Sequence, residues 1–492
     1  MRSPRAFVVR LVGSFALAWG AWYFTIGRDS AVGRRYDETY FGPSMTRTTD
    51  GRFIPASELG NSDYCGNCHT DIFHQWDAST HHFSSFNDPY YRRVALDVRK
   101  RRGGEALKFC AGCHDPLPLV AGEVPAGNLE DWSENAGITC LSCHRMVEIH
   151  GHENGSYSLQ APILHPFALT DRPFLHEAHE LLVKTTPILH ELVLMKPFYR
   201  SSDFCTTCHT VRVPKEVNGA ASLLVQSEDP RVLNPHHLDS GAAQSPGSCQ
   251  DCHMPLVPSS DPAARGGLVH SHRFMGGNTA IPTLNRDQDQ LEATEHFLSA
   301  RIASIEIAGL SVLDSSGRAS ARPRSGDTID LAVRVQNRGV GHCFPGGTAD
   351  SNEAWISIEV RDAANAILYS SGSAGPTESL PYGTYVFDVE FVDRSGAPTD
   401  RRTTATEAVA IGRSTVLAPN EHRTIHYQSR IPAHARFPLT VSASLNWRKF
   451  SPAFSHWTFG DLAVAPPPIT VLDHAQVQVP EVTLARRSAT AD

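Results

Sequence analysis

Positive charge is scarce in this chain. Against 52 Asp and Glu it sets 44 Lys and Arg, a formal net charge of -8 over 492 residues. A protein without a basic surplus lacks the electrostatic footprint of a nucleic-acid binder, which excludes nucleic acid as an expected partner. Long helical periodicity is also missing from most of the first 300 residues, so a core of long amphipathic helices is not expected there. Spare cysteine is lacking too. Ten of the eleven cysteines fall in one repeated motif, and with Cys343 the single one left, no cysteine pair remains to staple a domain. Disorder is not the default at 41% hydrophobic content, and the length allows two or three domains.

What the chain does have is Cys-x-x-Cys-His, five times, as CGNCH, CAGCH, CLSCH, CTTCH and CQDCH. Two thiols at this spacing reach the two vinyl groups along one porphyrin edge, and the following imidazole falls beneath the iron. The addresses are Cys65/Cys68/His69, Cys110/Cys113/His114, Cys140/Cys143/His144, Cys205/Cys208/His209 and Cys249/Cys252/His253. Zinc ribbons and dithiol redox pairs also use Cys-x-x-Cys, but neither needs the adjacent histidine. Four-cysteine zinc sites pair two knuckles, so five knuckles would leave one unmatched. The motif therefore predicts five covalently bound haem c groups. Thiol attachment of haem belongs to the extracytoplasmic side of a bacterial-type membrane, so the chain is expected to be exported.

The N-terminus agrees. Arg2, Arg5 and Arg10 precede an apolar run, Leu11 to Ile26, closed by Arg28. The small-x-small site Ala16-Leu17-Ala18 would cut the run in half, so an uncleaved anchor oriented N-in, C-out is preferred to a cleaved signal peptide. The expected organisation is a signal anchor over 1–28, a polar tether over 29–60, a pentahaem domain over 61–303, a β-domain over 304–476 and a tail over 477–492. In the pentahaem domain short helices would carry the motifs, loops would deliver distal ligands, and porphyrins would replace an aliphatic core. A helix is expected over Gln290 to Ile302, with Leu291, Phe297, Leu298 and Ile302 on one side. Alternation then takes over: Ile329, Leu331, Val333 and Val335; Ile356, Ile358 and Val360 before a turn at Asp362 to Asn365; Thr424 to Ile431; Leu439 to Leu445. This predicts an all-β immunoglobulin-like sandwich behind a mainly α or irregular cytochrome domain and an N-terminal membrane helix.

The second axial ligand decides the chemistry, since histidine on both faces closes an iron for electron transfer and an open face binds substrate. Six histidines compete for five vacancies: His81, His150, His190, His237, His272 and His342. His82, His179, His236 and His270 are close rivals, and for each candidate a solvated or hydrogen-bonded side chain is the alternative. Met254 and Met275 are read as packing. Gly339, Gly341, Gly346 and Gly347 around Cys343, Phe344 and Pro345 suit a stiff loop that presents His342.

WDASTHH, after the first address, resembles the Trp-x-x-Ser-x-His signature of the multihaem cytochromes related to the tetrahaem carrier of ammonia oxidation and to hydroxylamine oxidoreductase. CHDP, GITCLSCH, SSDFCTTCH, CQDCHMP and HRFMGG are similar to the wider class, and the resemblance spans roughly Tyr64 to Gly277. It implies distal ligation by His81, and by His272 in its His-x-Phe-x-Gly context. Asn337 to Gly347 resembles a segment recurring in β-domains appended to such cytochromes. The named relatives carry four or eight haems and this chain five addresses, so their packing order does not transfer, and no Cys-x-x-Cys-Lys marks an ammonia-forming nitrite reductase. The expected function is extracytoplasmic electron transfer between redox partner proteins at the membrane or in the periplasm. The rival is a reductase or oxidase of a small nitrogen or sulfur compound at one open haem. A third reading makes the β-domain a docking module wired by the haems.

Overall fold

The computed structural model describes residues 33–59, 62–124, 137–161, 172–220, 222–229, 247–300 and 302–480. The proposed anchor Leu11 to Ile26 lies outside these, and so does the tail expected over 477–492 from residue 481 on; residues 477–479 of it instead complete the strand Thr470–Val479. Among the described residues no helix is long and apolar enough to cross a membrane.

The chain divides into two units. In the first, the described residues up to Asp77 gather with His81–Cys208 and Val257–Val269. Its helices are short: α1 (Thr70–Asp77), α2 (Pro89–Arg102), α3 (Leu107–His114), α4 (Pro173–Thr185) and α5 (Pro187–Leu194). Local signals set their ends. Asp88 accepts the Tyr90 amide and Pro89 opens α2, whose last turn carries Arg99, Lys100, Arg101 and Arg102 against the negative helix end before Gly103 at φ 84°. Asp115 and Pro116 follow α3 directly, since proline cannot continue the helix.

Residues 33–59, expected to be a tether, are instead part of this unit. Arg47–Thr48 pairs in parallel with Tyr157–Leu159, and the Ile54 amide donates to the Val120 carbonyl at 2.9 Å. Tyr36, Tyr40, Phe41 and Phe53 form an aromatic cluster, with the Lys108 ammonium 3.8 Å from the centre of the Tyr40 ring. Four aromatics within 18 residues carry too much apolar area to remain in water, and polar spacing between them hides this in a composition reading.

In the second unit, Ala78–Thr80, His209–Leu256 and His270–Asp492, the expected helix is α6 (Gln288–Ser299). It starts where the Asp287 side chain caps Gln290 and stops at Ser299, because Ala303 onward is strand. Two larger antiparallel sheets follow, beside a two-stranded one of Val389–Val392 and Ala410–Ser414. One has the order β5 (His422–Arg430), β2 (Thr328–Asn337), β1 (Ala303–Leu313); the other has β4 (Ile367–Ser371), β3 (Glu353–Arg361), β6 (Leu439–Arg448), β7 (Thr470–Val479), with Val386–Phe387 also on β3. Along β2 the period is two, with Ile329, Leu331, Val333 and Val335 buried against Ile356, Ile358, Val360, Val441 and Leu445 of the facing sheet. Arg448 is fully buried. Its Nε donates to Glu353 at 2.7 Å, and its Nη1 to the carbonyls of Gly375, Pro376 and Glu378 at 3.0–3.1 Å.

Candidate haem-binding sites

Short helices carry four of the five addresses whole, with thiols three residues apart on one face and the histidine one step on. Cys110 and Cys113 lie at the end of α3, and Cys140 and Cys143 in the helix Cys140–His144, opened by a Thr139/Ser142 capping box. Cys205 and Cys208 end the helix Ser202–His209, and Cys249 and Cys252 lie in Cys249–His253, with a Ser248/Asp251 capping box.

The first address departs from the expectation of a helix under every motif. Its helix, Ser62–Gly66, holds Cys65 but stops before Cys68, which falls in the turn that follows. Gly66 packs against Phe73 so closely that a Cβ would lie 2.6 Å from the ring, and there the chain folds back onto α1 instead of continuing as helix. The spacing survives the break. The Cys68 amide donates to the Cys65 carbonyl at 3.2 Å and the His69 amide to the same carbonyl at 2.9 Å, so Cys68 and His69 stay within one turn of Cys65. Cys68 is half-buried, and none of the ten address thiols is taken up in a disulfide.

All five proximal imidazoles are oriented through Nδ1. His69 donates to Asp261 Oδ1 at 2.8 Å, His114 to the Ser84 carbonyl, and His144 to the Leu194 carbonyl at 3.1 Å. His209 donates to Glu228 Oε2, and His253 to the Met275 carbonyl. Carbonyls and carboxylates accept only, so Nδ1 carries the proton and Nε2 keeps its lone pair for a metal. Burial lowers the His144 pKa, which favours the neutral, ligating form.

Two distal candidates face proximal partners. The His69 and His190 ring centres are 6.1 Å apart with planes 16° from parallel, and those of His253 and His342 are 6.4 Å apart at 15°. Two imidazoles on opposite faces of one metal have centres about 6.2 Å apart, from roughly 2.0 Å per metal–nitrogen bond and roughly 1.1 Å from nitrogen to ring centre. Both pairs match. Among the described residues no three His, Cys, Asp or Glu side chains converge as around a bare ion, whereas paired imidazoles are what an iron held by four porphyrin nitrogens needs.

The loop that presents His342 is fixed from several sides. Asn337 Nδ2 donates to the His342 and Leu417 carbonyls at 2.9 and 3.2 Å, Phe344 and Leu417 exchange both backbone bonds, and Asn352 Nδ2 reaches the Gly346 carbonyl at 3.0 Å. His342 Nδ1 donates to the Cys343 carbonyl at 2.9 Å, and burial lowers its pKa against the opposing pull of Glu228. A Cβ on Gly346 would lie 2.5 Å from His342 Cε1 and 2.8 Å from its Nδ1. Gly346→Ala is therefore expected to push the ring aside and convert part of one low-spin haem to high-spin, seen by EPR. Gly276→Ala, whose Cβ would meet only the Phe274 carbonyl at 4.0 Å, should leave the spectrum unchanged.

The other candidates differ. The Trp76 indole donates to the Ile138 carbonyl at 2.7 Å and stacks on His82, whose Nδ1 is bonded to the Asp77 carbonyl. The Ile138 amide donates to the His81 carbonyl at 2.9 Å, so the Trp-x-x-Ser-x-His stretch sets His81 beside the third address. His272 and His270 are each held by Nδ1, to the His270 and Met254 carbonyls at 2.8 Å. His150 is not presented to a metal through Nε2. That nitrogen donates to the Met45 carbonyl at 3.0 Å, because the strand Met146–Ile149 ends against residues the tether assignment had placed elsewhere. His179 is engaged at Nε2 by the Tyr64 hydroxyl. His237 and His236 lie outside the described residues. Sequence reasoning missed Asp261 and Glu228, which lie 192 and 19 residues from the histidines they serve and belong to no motif.

The addresses are also grouped. Cys65 and Cys140 are neighbours, as are Cys113 and Cys208, which sets the first address beside the third and the second beside the fourth. Glu228, bonded to His209, also lies near His342 and His253; burial raises its carboxyl, while the hydrogen bond from His209 lowers it.

Arrays of Cys-x-x-Cys-His motifs with imidazole pairs across iron spacing define a multihaem c-type cytochrome fold. The family described as cytochrome c554 and c-prime matches residues 64–145, which hold the first three addresses. Among solved structures the chain is similar to the penta-heme cytochrome c552 from Thermochromatium tepidum, at 21% identity and a TM-score of 0.56, over 86% of this chain and 100% of that one. That share is more than residues up to 303 could supply, so the shared fold extends into the sheets. An alkylpurine DNA glycosylase from Pseudomonas fluorescens (9% identity, TM-score 0.14, 39% of each chain) and a family 123 glycoside hydrolase from Clostridium perfringens (11%, 0.14, 36% of this chain and 26% of that) superimpose too poorly to bear on the fold. No curated protein sequence matches.

Proposed function

We propose that this protein is an extracytoplasmic pentahaem c-type cytochrome that relays electrons between redox partner proteins through mostly bis-histidine haems. The observation that carries the reading is the pairing of His69 with His190 and of His253 with His342 at the separation one iron requires. Haem supplies the one-electron chemistry. The chain's own residues attach it through ten thiols, keep Nε2 of each proximal histidine unprotonated, and place the attachment edges of addresses one and three, and two and four, side by side. Closed axial positions favour electron transfer over substrate binding.

The strand orders β5-β2-β1 and β4-β3-β6-β7 support an immunoglobulin-like sandwich, here used to bring His342 to the fifth address. The kinship with hydroxylamine oxidoreductase implied by WDASTHH rests on that stretch alone.

A pyridine haemochrome assay on matured protein is expected to give five haems per chain, with an EPR spectrum dominated by low-spin signals. Four or fewer haems would overturn the reading. A stoichiometric high-spin signal would instead favour the oxidoreductase. The apolar run Leu11 to Ile26 is proposed to hold the protein at the inner membrane by one uncleaved helix. The protein should then stay with membranes after osmotic release of the periplasm, and soluble protein beginning near Trp22 would contradict it.

A further inference from the structure

The proximal histidines do not share one kind of support. His114, His144 and His253 donate Nδ1–H to backbone carbonyls, those of Ser84, Leu194 and Met275. His69 and His209 donate to carboxylates, Asp261 and Glu228. Both acids are built in. The Asp261 side chain is fully buried, its Oδ1 also accepts the Ala263 amide at 2.8 Å, and its own amide donates to Ser259 Oγ at 3.0 Å. The Glu228 amide donates to the His209 carbonyl at 3.1 Å while its carboxylate takes the His209 ring, so one residue grips the other at both ends.

A carbonyl presents a dipole and a carboxylate a full negative charge, and the two act differently on an iron whose charge changes by one. A carboxylate on Nδ1–H makes the imidazole a stronger donor and lowers the energy of the ferric state relative to the ferrous one. We propose that Asp261 and Glu228 are positioning residues that make the haems of the first and fourth addresses the two lowest in reduction potential. Because the first address adjoins the third and the fourth adjoins the second, each adjacent pair then joins one carboxylate-backed haem to one carbonyl-backed haem. The inference rests on the pentahaem reading.

The test is a spectroelectrochemical titration of the full-length, haem-loaded protein beside Asp261→Asn and Glu228→Gln, which keep an acceptor oxygen for Nδ1–H and remove the charge. Each variant should retain five haems and low-spin spectra and raise one of the two lowest potentials; the double variant should raise both. Unchanged potentials with five haems would overturn the inference and leave the pentahaem reading standing, whereas fewer than five haems in the unmodified protein would defeat that reading itself. If the amide variants do not mature, His190→Ala identifies by EPR which low-spin signal belongs to the first address. In the unmodified protein that signal must be one of the last two to vanish on reduction, and its loss among the first three would overturn the inference.

Discussion

Replacing His342 by alanine is expected to turn one haem from low-spin to high-spin while the covalent haem count stays unchanged. The change should appear in the EPR spectrum and as a charge-transfer band in the visible spectrum, and added imidazole should reverse it. The expectation follows from the 6.4 Å separation and near-parallel planes of His253 and His342, and from the bonds that occupy Nδ1 of each and so reserve Nε2 for ligation. Unchanged spectra and potentials would reduce His342 to a turn residue whose Nδ1 merely serves the Cys343 carbonyl.

The second large effect concerns stability. Arg448→Met should lower the unfolding free energy by about 3 kcal/mol, the lower end for breaking a buried ion pair, because Glu353 keeps some exposure. Three carbonyls of the Gly375–Glu378 turn would lose their donor as well. Burial already raises the Glu353 carboxyl above its usual 4.5, and Arg448 is what opposes that rise. In the variant the folded state would bind a proton more tightly than the unfolded one, so stability should fall as pH climbs from about 4.5 through the raised value. Urea titrations of full-length protein across that range measure both effects. The double variant Glu353→Met/Arg448→Met should recover part of the loss, since no charge is then left without a partner.

The strands that could be read from sequence were those with uninterrupted alternation. β2 is the clearest, with four large apolar residues at period two and only the small Ala332 out of phase. β1 escaped because its register shifts between Ile307 and Gly309, and one extra residue moves the apolar set to the other face. β7 escaped because polar residues fill most of its exposed positions and Asp473 is turned to the Ile305 amide. The haem addresses were legible as motifs, because covalent attachment would demand fixed spacing; the local backbone was less so, since the same spacing is met by helix at Cys110 and by a turn at Cys68. Distal ligands were legible only as candidates: His190 and His342 meet partners 121 and 89 residues away in sequence, and only the fold decides such pairings. His150 had as good a local context and went to a carbonyl instead. The acceptors behind the proximal rings left no trace in the sequence, three being backbone groups that any residue could supply.

The Asn337–Gly347 loop also bears on how the chain is held together. An iron bridging His253 and His342 closes a ring of 89 residues, and one bridging His69 and His190 closes a ring of 121. Cross-links of that reach remove about 4–5 kcal/mol of chain entropy from the unfolded ensemble when they are disulfides, and a ligand bond that survives unfolding would act the same way. Here the link is redox-active and can be opened by any strong axial competitor. Cyanide or acid that displaces a distal histidine would therefore loosen the sandwich as well as change the spectrum. On the proposed reading, haem attachment would then be a folding step for a sandwich whose strands carry no haem address.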